Sequence, residues 1–164
     1  MTVRNAVVED APRLSDIAYA AKAHWGYPAA WLELWRDDLT ITASFIASKP
    51  VFKLVGELGE IIGFCAFVEE EHILWVDHLW IAPEYIGKGY GRKLFREAFA
   101  RVRKPHHRQA KVISDPYASG FYQKEGFIPI DYISSKPEGR RLPVLSKEWE
   151  MAGRVKTNTY KRKS

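Results

Sequence analysis

The sequence predicts a single α/β domain of the α+β type, with a mixed, mostly antiparallel central sheet of about seven strands flanked by helices. Three observations carry that expectation. The chain has 164 residues, 46% of them hydrophobic, which suits one domain with a sizeable core. Between residues 51 and 82 three apolar runs follow one another across short polar breaks, the order of an antiparallel meander. The pattern then changes to a glycine-rich turn, an amphipathic helix and another apolar run, an order that implies a parallel strand pair with a right-handed crossover.

Residues 3–7 alternate and predict a first strand. Glu9, Asp10 and Pro12 then mark the start of a helix with Leu14, Ile17, Ala18 and Ala21 on its buried stripe. His24-Trp25-Gly26-Tyr27-Pro28 breaks that helix and opens a segment, to about residue 48, that carries Trp25, Tyr27, Trp31, Trp35 and Phe45. Trp31 and Trp35 are four apart, share a helix face and read as core. Trp25 and Tyr27, beside a glycine and a proline, read as pocket wall. Strands follow at 51–56 and 61–68, joined by a hairpin turn at 57–60, and the run Glu69-Glu70-Glu71 turns the chain into a strand at 73–82.

After the glycine turn, Leu94, Phe95, Ala98 and Val102 make the buried stripe of a second helix, ended by Lys104-Pro105. A strand at 110–114 is followed by Asp115-Pro116, an N-cap and a first-turn proline, which opens a short helix closed by Gly126. Two last strands, 127–133 and 142–149, flank a polar loop. The expected domain spans 1–150, and 151–164 is expected to be a flexible basic tail.

The net charge of +5 sits in that tail, where five basic residues and no acids leave 20 basic against 20 acidic residues in the body. A neutral body argues against a nucleic-acid partner, which needs a broad phosphate-tracking face. No apolar run is long enough for a membrane helix, the first residues carry acids where a signal peptide is apolar, and Cys65 stands alone. A cytoplasmic protein is expected.

Gly87, Gly89 and Gly91 alternate with Lys88 and Tyr90 immediately before a helix. Such a turn can bend without Cβ clashes and bring backbone N–H groups, with the helix N-terminus, to one point. The ligand that suits it is a pyrophosphate. A plain tight link between strand and helix is the alternative, though one glycine would serve for that. A Walker loop is excluded by Ala82 and Gly89, and the dinucleotide fingerprint by Arg92.

Ile81-Ala82-Pro83 followed by Gly87-Lys88-Gly89-Tyr90-Gly91-Arg92 resembles the acetyl-CoA motif of the GNAT superfamily of N-acetyltransferases. Asp115-Pro116-Tyr117-Ala118-Ser119-Gly120-Phe121-Tyr122-Gln123-Lys124-Glu125-Gly126-Phe127 is similar to that family's later segment, in the right order. Ile86 stands where the family usually has Gln or Arg, and Tyr117 where it has Asn. The resemblance implies acetyl-CoA as co-substrate, with no metal. Its cofactor contacts would come from Leu79, Ile81, Gly87, Lys88, Gly89, Tyr90, Gly91, Arg92, Tyr117 and Phe121. The acceptor would be a primary amine of a small molecule or peptide, attacking directly in a ternary complex, and the resemblance leaves a homodimer open.

By the same resemblance Tyr122 is the acid that protonates the departing thiolate. A phenol suits that role because its pKa of about 10 is near that of an alkyl thiol. The alternative is a packed helix tyrosine. The base is left open between His78 and Asp77, adjacent on one strand and therefore expected on opposite faces. Trp25, Tyr27, Arg140 and Arg141 are expected around the acceptor, the arginines suiting a carboxylate. His72, His106 and His107 read as loop residues without metal-ligand spacing. A CoA-binding sensor or scaffold without turnover is the rival reading.

Overall fold

The computed structural model describes residues 1–149, and the expected basic tail lies outside them. Seven strands form one sheet: β1 (Thr2–Asn5), β2 (Val51–Val55), β3 (Ile61–Glu70), β4 (Ile73–Ile81), β5 (Gln109–Ile113), β6 (Ile128–Ser134) and β7 (Arg141–Glu148). Their spatial order is β1-β2-β3-β4-β5-β7-β6. Every pairing is antiparallel except β4 with β5. The mixed, mostly antiparallel sheet read from the sequence is therefore the one observed, and the crossover helix between β4 and β5 explains its single parallel pair.

Helix α1 (Ala11–His24) packs with α2 (Ala29–Leu34) and α3 (Ala43–Ser48) on one face, in a core with Leu14, Ile17, Trp35, Ile46 and Phe64. Helix α4 (Tyr90–Val102) and the short α5 (Ser119–Lys124) cover the other face, around Leu54, Phe67, Leu94, Phe95, Phe127 and Leu145. Burying both faces of β3 accounts for its nearly unbroken apolar run from Ile62 to Phe67. Trp35 is buried as core, as expected, with Trp31 edge-on to it at 5.9 Å. Among the described residues no helix is long and apolar enough to cross a membrane.

Two local expectations are corrected. The first strand ends at Asn5 and a 3-10 turn follows at Val8–Asp10. Of the acidic run at 69–71 only Glu71, whose φ is +56°, turns the chain, because Glu69 and Glu70 continue β3 opposite Leu74 and Ile73. Pairing with β4 overrides the weak strand propensity of glutamate.

A third correction bears on the site. Ala66 pairs with His78 and Phe67 with Val76, so Asp77 has no partner on β3 and forms a β-bulge. The bulge reverses the alternation: Val76 joins the core under α4, while His78 packs against Phe45 and Phe64 on the opposite face, at 5.9 and 5.7 Å between ring centres.

Candidate active site

The parallel pairing of β4 with β5 stops at Val76 opposite Val112, although β4 runs on to Ile81. β5 bends away toward β7, where Ser114 N–H donates to Pro143 O at 2.9 Å. The two strands splay apart, and the gap is a cleft of about 540 Å³. Ala82 N–H donates to Ile62 O on β3 at 2.8 Å. Alternation along the strand then turns the N–H groups of Leu79 and Ile81 away from β3 and toward the gap.

The glycine turn closes one end. Gly87 and Gly89 both have φ of +84°, in the left-handed region that a Cβ disfavours. Gly89 is the residue before α4, so the unpaired N–H groups of the first helical turn face the same place. Gly91 is helical and needs no such freedom, but a Cβ there would sit 3.7 Å from Ile81 and 3.8 Å from Phe121. Gly87, Gly89, Tyr90, Gly91 and Arg92 line the cleft, as do Leu79, Ile81, Tyr117 and Phe121. Lys88 does not, and its ammonium lies over the Tyr85 ring. Of the ten residues expected at the cofactor, nine line the cleft and Lys88 falls outside, with Tyr117 standing beside Trp25 and away from the glycine turn.

Tyr122 reaches the cleft from α5, its ring held by Phe95, Phe121 and Phe127. It is 5% exposed, and its hydroxyl makes no hydrogen bond with any described residue. Burial, with Cys65 nearby, pushes the phenol well above its ordinary pKa, so it stays protonated. A buried hydroxyl without a partner calls for an explanation, and a ligand that it bonds is one.

Across the gap Asp77 and His78 both line the cleft, against the expectation that only one of them would see it. The bulge is the reason. His78 Nε2 is 3.6 Å from Asp77 Oδ2, and Trp80 Nε1–H donates to His78 Nδ1 at 3.0 Å. An indole N–H can only donate, so Nδ1 accepts and the neutral ring carries its proton on Nε2, facing Asp77. Burial lowers the His78 pKa, opposed by Asp77 and Asp38. Trp80, two residues on and so on the same face of β4 as His78, was missed by the sequence reading although strand alternation alone pairs the two.

At the far end Trp25 and Tyr117 stack at 5.2 Å with their planes 13° apart, and both line the cleft. Tyr27 and Arg140 do not. They belong to a buried cluster around Asp115, which accepts from Lys22 Nζ, from Tyr27 Oη at 3.0 Å, from Tyr117 N–H at 2.9 Å and from Arg140 Nη2 at 3.3 Å. Desolvation lowers the Lys22 pKa against the pull of Asp115, and desolvation raises the Tyr27 phenol to about 12. Arg140 is thus committed to Asp115, and Arg141 stands over Tyr132 outside the cleft, 5.2 Å from the ring centre.

Glu69, His106 and His107 bring three ligating atoms within 4.8 Å of one another at the opposite end of β4. His107 Nδ1 accepts from Lys104 N–H at 2.9 Å, which leaves the ring proton on Nε2, bonded to Glu69 at 2.9 Å. That nitrogen has no lone pair for a metal, and the arrangement ties the α4–β5 connection to the end of β3.

The model of the acetyltransferase (GNAT) domain matches residues 47–129, which span β2 through the start of β6. No curated protein sequence matches the chain. Among solved structures, the PaiA N-acetyltransferase of Thermoplasma acidophilum, in complex with coenzyme A, aligns with a TM-score of 0.74 at 19% identity, over 90% of this chain and 98% of that one. The ribosomal-protein-S18-alanine N-acetyltransferase of Escherichia coli aligns with a TM-score of 0.68 at 16% identity, over 93% and 96%. The ribosomal-protein-alanine N-acetyltransferase of Brucella melitensis aligns with a TM-score of 0.64 at 18% identity, over 91% and 100%. At these identities the likeness is one of fold. The family model, however, covers half of the chain and takes in the glycine turn, the splayed strands and the segment bearing Tyr122, and on that ground the chain belongs to the GNAT acetyltransferase family.

Proposed function

We propose that the protein is an N-acetyltransferase that moves the acetyl group of acetyl-CoA to the primary amine of a small molecule or peptide, by direct attack in a ternary complex. The observation that carries this reading is the buried Tyr122 hydroxyl, without a hydrogen-bond partner among the described residues, in the wall of the cleft between β4 and β5. Acetyl-CoA supplies the thioester. The Gly87–Arg92 backbone and the first turn of α4 hold its pyrophosphate, and the N–H groups of Leu79 and Ile81 stabilise negative charge on the thioester oxygen. As the C–N bond forms and the C–S bond breaks, the Tyr122 O–H gives its proton to the thiolate. Burial keeps the proton on its oxygen until charge has built up on sulfur, though it also makes the phenol a weaker acid than one with the ordinary pKa.

The attacking amine must lose a proton. His78 offers no free lone pair, since Trp80 occupies Nδ1 and Nε2 carries the hydrogen. Asp77, with its side chain 43% exposed, is the accessible base, and His78 orients it. Once the C–N bond forms the nitrogen becomes far more acidic, so a carboxylate suffices, directly or through water. A cytoplasmic setting fits the single buried Cys65.

A CoA-binding sensor would share the cleft but has no use for a buried phenol in its wall. The test is release of CoA thiol from acetyl-CoA with a panel of amines. Turnover with at least one amine is expected, and tight CoA binding without turnover for any would favour the sensor.

A further inference from the structure

The acceptor end of the cleft is lined by carboxylate and aromatic groups, and no lysine or arginine side chain lines it among the described residues. The cations that do line the cleft, Arg92 and Lys124, belong to α4 and α5 on the side of the glycine turn. Arg92 is moreover paired with Glu125 at 3.6 Å. On the acceptor side Asp77 is 43% exposed and makes no ion pair with a lysine or arginine among the described residues. Asp38, between α2 and α3, adds a second negative charge close enough to act on His78.

The nearest candidates for holding an acceptor carboxylate are Lys22 and Arg140, and both are spent. Their side chains are 11% and 10% exposed, and they share the Asp115 carboxylate, itself 6% exposed. Trp35 is held between them, with Lys22 Nζ and the Arg140 guanidinium 4.6 and 4.5 Å from ring centres. An acceptor carboxylate would have to draw one of these cations out of a satisfied, desolvated cluster, which costs more than the exposed pair it gains.

What the acceptor end offers in place of a cation is the Trp25–Tyr117 stack. Tyr117 is 61% exposed, so a large flat apolar surface stands open at the rim of the cleft. Offset stacking of a third ring is the interaction such a surface rewards. Resting on the reading of this cleft as an acetyltransferase site, we infer that the acceptor is a primary amine with an aryl arm and no carboxylate, its ring against Trp25 and Tyr117 and its ammonium toward Asp77.

The test separates this inference from the activity on which it rests. Calorimetry on the CoA-loaded protein compares 2-phenylethylamine with phenylalanine, which adds only the carboxylate, and with n-butylamine, which lacks the ring. 2-Phenylethylamine is expected to bind at least about tenfold more tightly than phenylalanine, the scale of one misplaced charge. It is expected to bind about threefold or more tightly than butylamine, the scale of one aromatic pair. Trp25→Ala should remove the advantage over butylamine while CoA binding holds. Phenylalanine or butylamine binding as tightly as 2-phenylethylamine overturns the inference, and so does binding of none of the three. If 2-phenylethylamine binds as expected yet releases no thiol from acetyl-CoA, the acetyltransferase reading fails while the ligand class stands.

Discussion

At the scale of single residues the site turns on one hydroxyl and one bulge. A structural tyrosine and a catalytic one make opposite predictions for Tyr122→Phe. Because the hydroxyl has no described partner, removing it should leave Tm unchanged or slightly raised. The same change should lower kcat by about 10²- to 10⁴-fold, with CoA affinity nearly intact, if the proton it gives is needed. A loss under about threefold, normalised to folded protein, would count against the acid role. His78 makes a prediction in pH. Its pKa is lowered below 6.5 by burial, so protonation is harder in the folded than in the unfolded chain. That contribution to stability is whole above pH 6.5 and is lost as pH falls below it. His78→Gln, which can still accept from Trp80, should flatten the fall of Tm between about pH 7 and 5. An unchanged slope would mean that other groups carry the acid sensitivity. The place of Tyr122 in the cleft was legible in the sequence through its motif, but the presence of both Asp77 and His78 there was not. A strand's strict alternation puts neighbours on opposite faces, and nothing in the residues 73–82 announces the extra one that breaks it.

At the scale of elements, the glycine turn divides its glycines by function in a way that stability measurements resolve. Gly89 has φ of +84° and open space around a would-be Cβ, so its substitution is penalised by backbone strain alone. Gly89→Val should cost about 1–3 kcal/mol and weaken CoA binding, because the turn can no longer present its N–H groups together. Gly91 is helical, and an added methyl makes ordinary contacts with Ile81 and Phe121. Gly91→Ala should therefore gain roughly 0.5–1 kcal/mol of stability. Thermal unfolding of both variants checks the pair, and equal losses would contradict the division. α4 was readable from its helical stripe, and the meander and crossover from the order of apolar runs and turn residues between them. The acidic run at the end of β3 was misread because its pairing with β4, a tertiary fact, decides it. α2 and α3, six residues each, are too short to show a helical period.

At the scale of the whole molecule, the cleft is held open by attachments that the sequence does not advertise. Asp115 stands at the end of β5, Lys22 on α1, Tyr27 in the loop after it, and Arg140 between β6 and β7. One carboxylate therefore gathers both flanks of the acceptor end and the segment leading to Tyr122. Asp115 could be picked out as an N-cap, and it does accept from Tyr117 N–H, but partners 93 and 25 residues away are invisible to a local pattern. Magnitude separates this cluster from surface charge pairs. Glu33 and Arg36, 63% and 54% exposed, form a pair screened by solvent, and Glu33→Ala should be nearly silent. Asp115→Ala leaves two cations buried without their counter-charge and should cost about 3–5 kcal/mol. Adding Arg140→Met removes one of the stranded cations while keeping its packing against Trp35. The double variant should then be more stable than Asp115→Ala by itself, the non-additivity expected of residues in one network. Urea unfolding of the two single variants and the double variant measures that coupling. Purely additive losses would show that Arg140 is held by its contact with Trp35 and Tyr27 and not by Asp115.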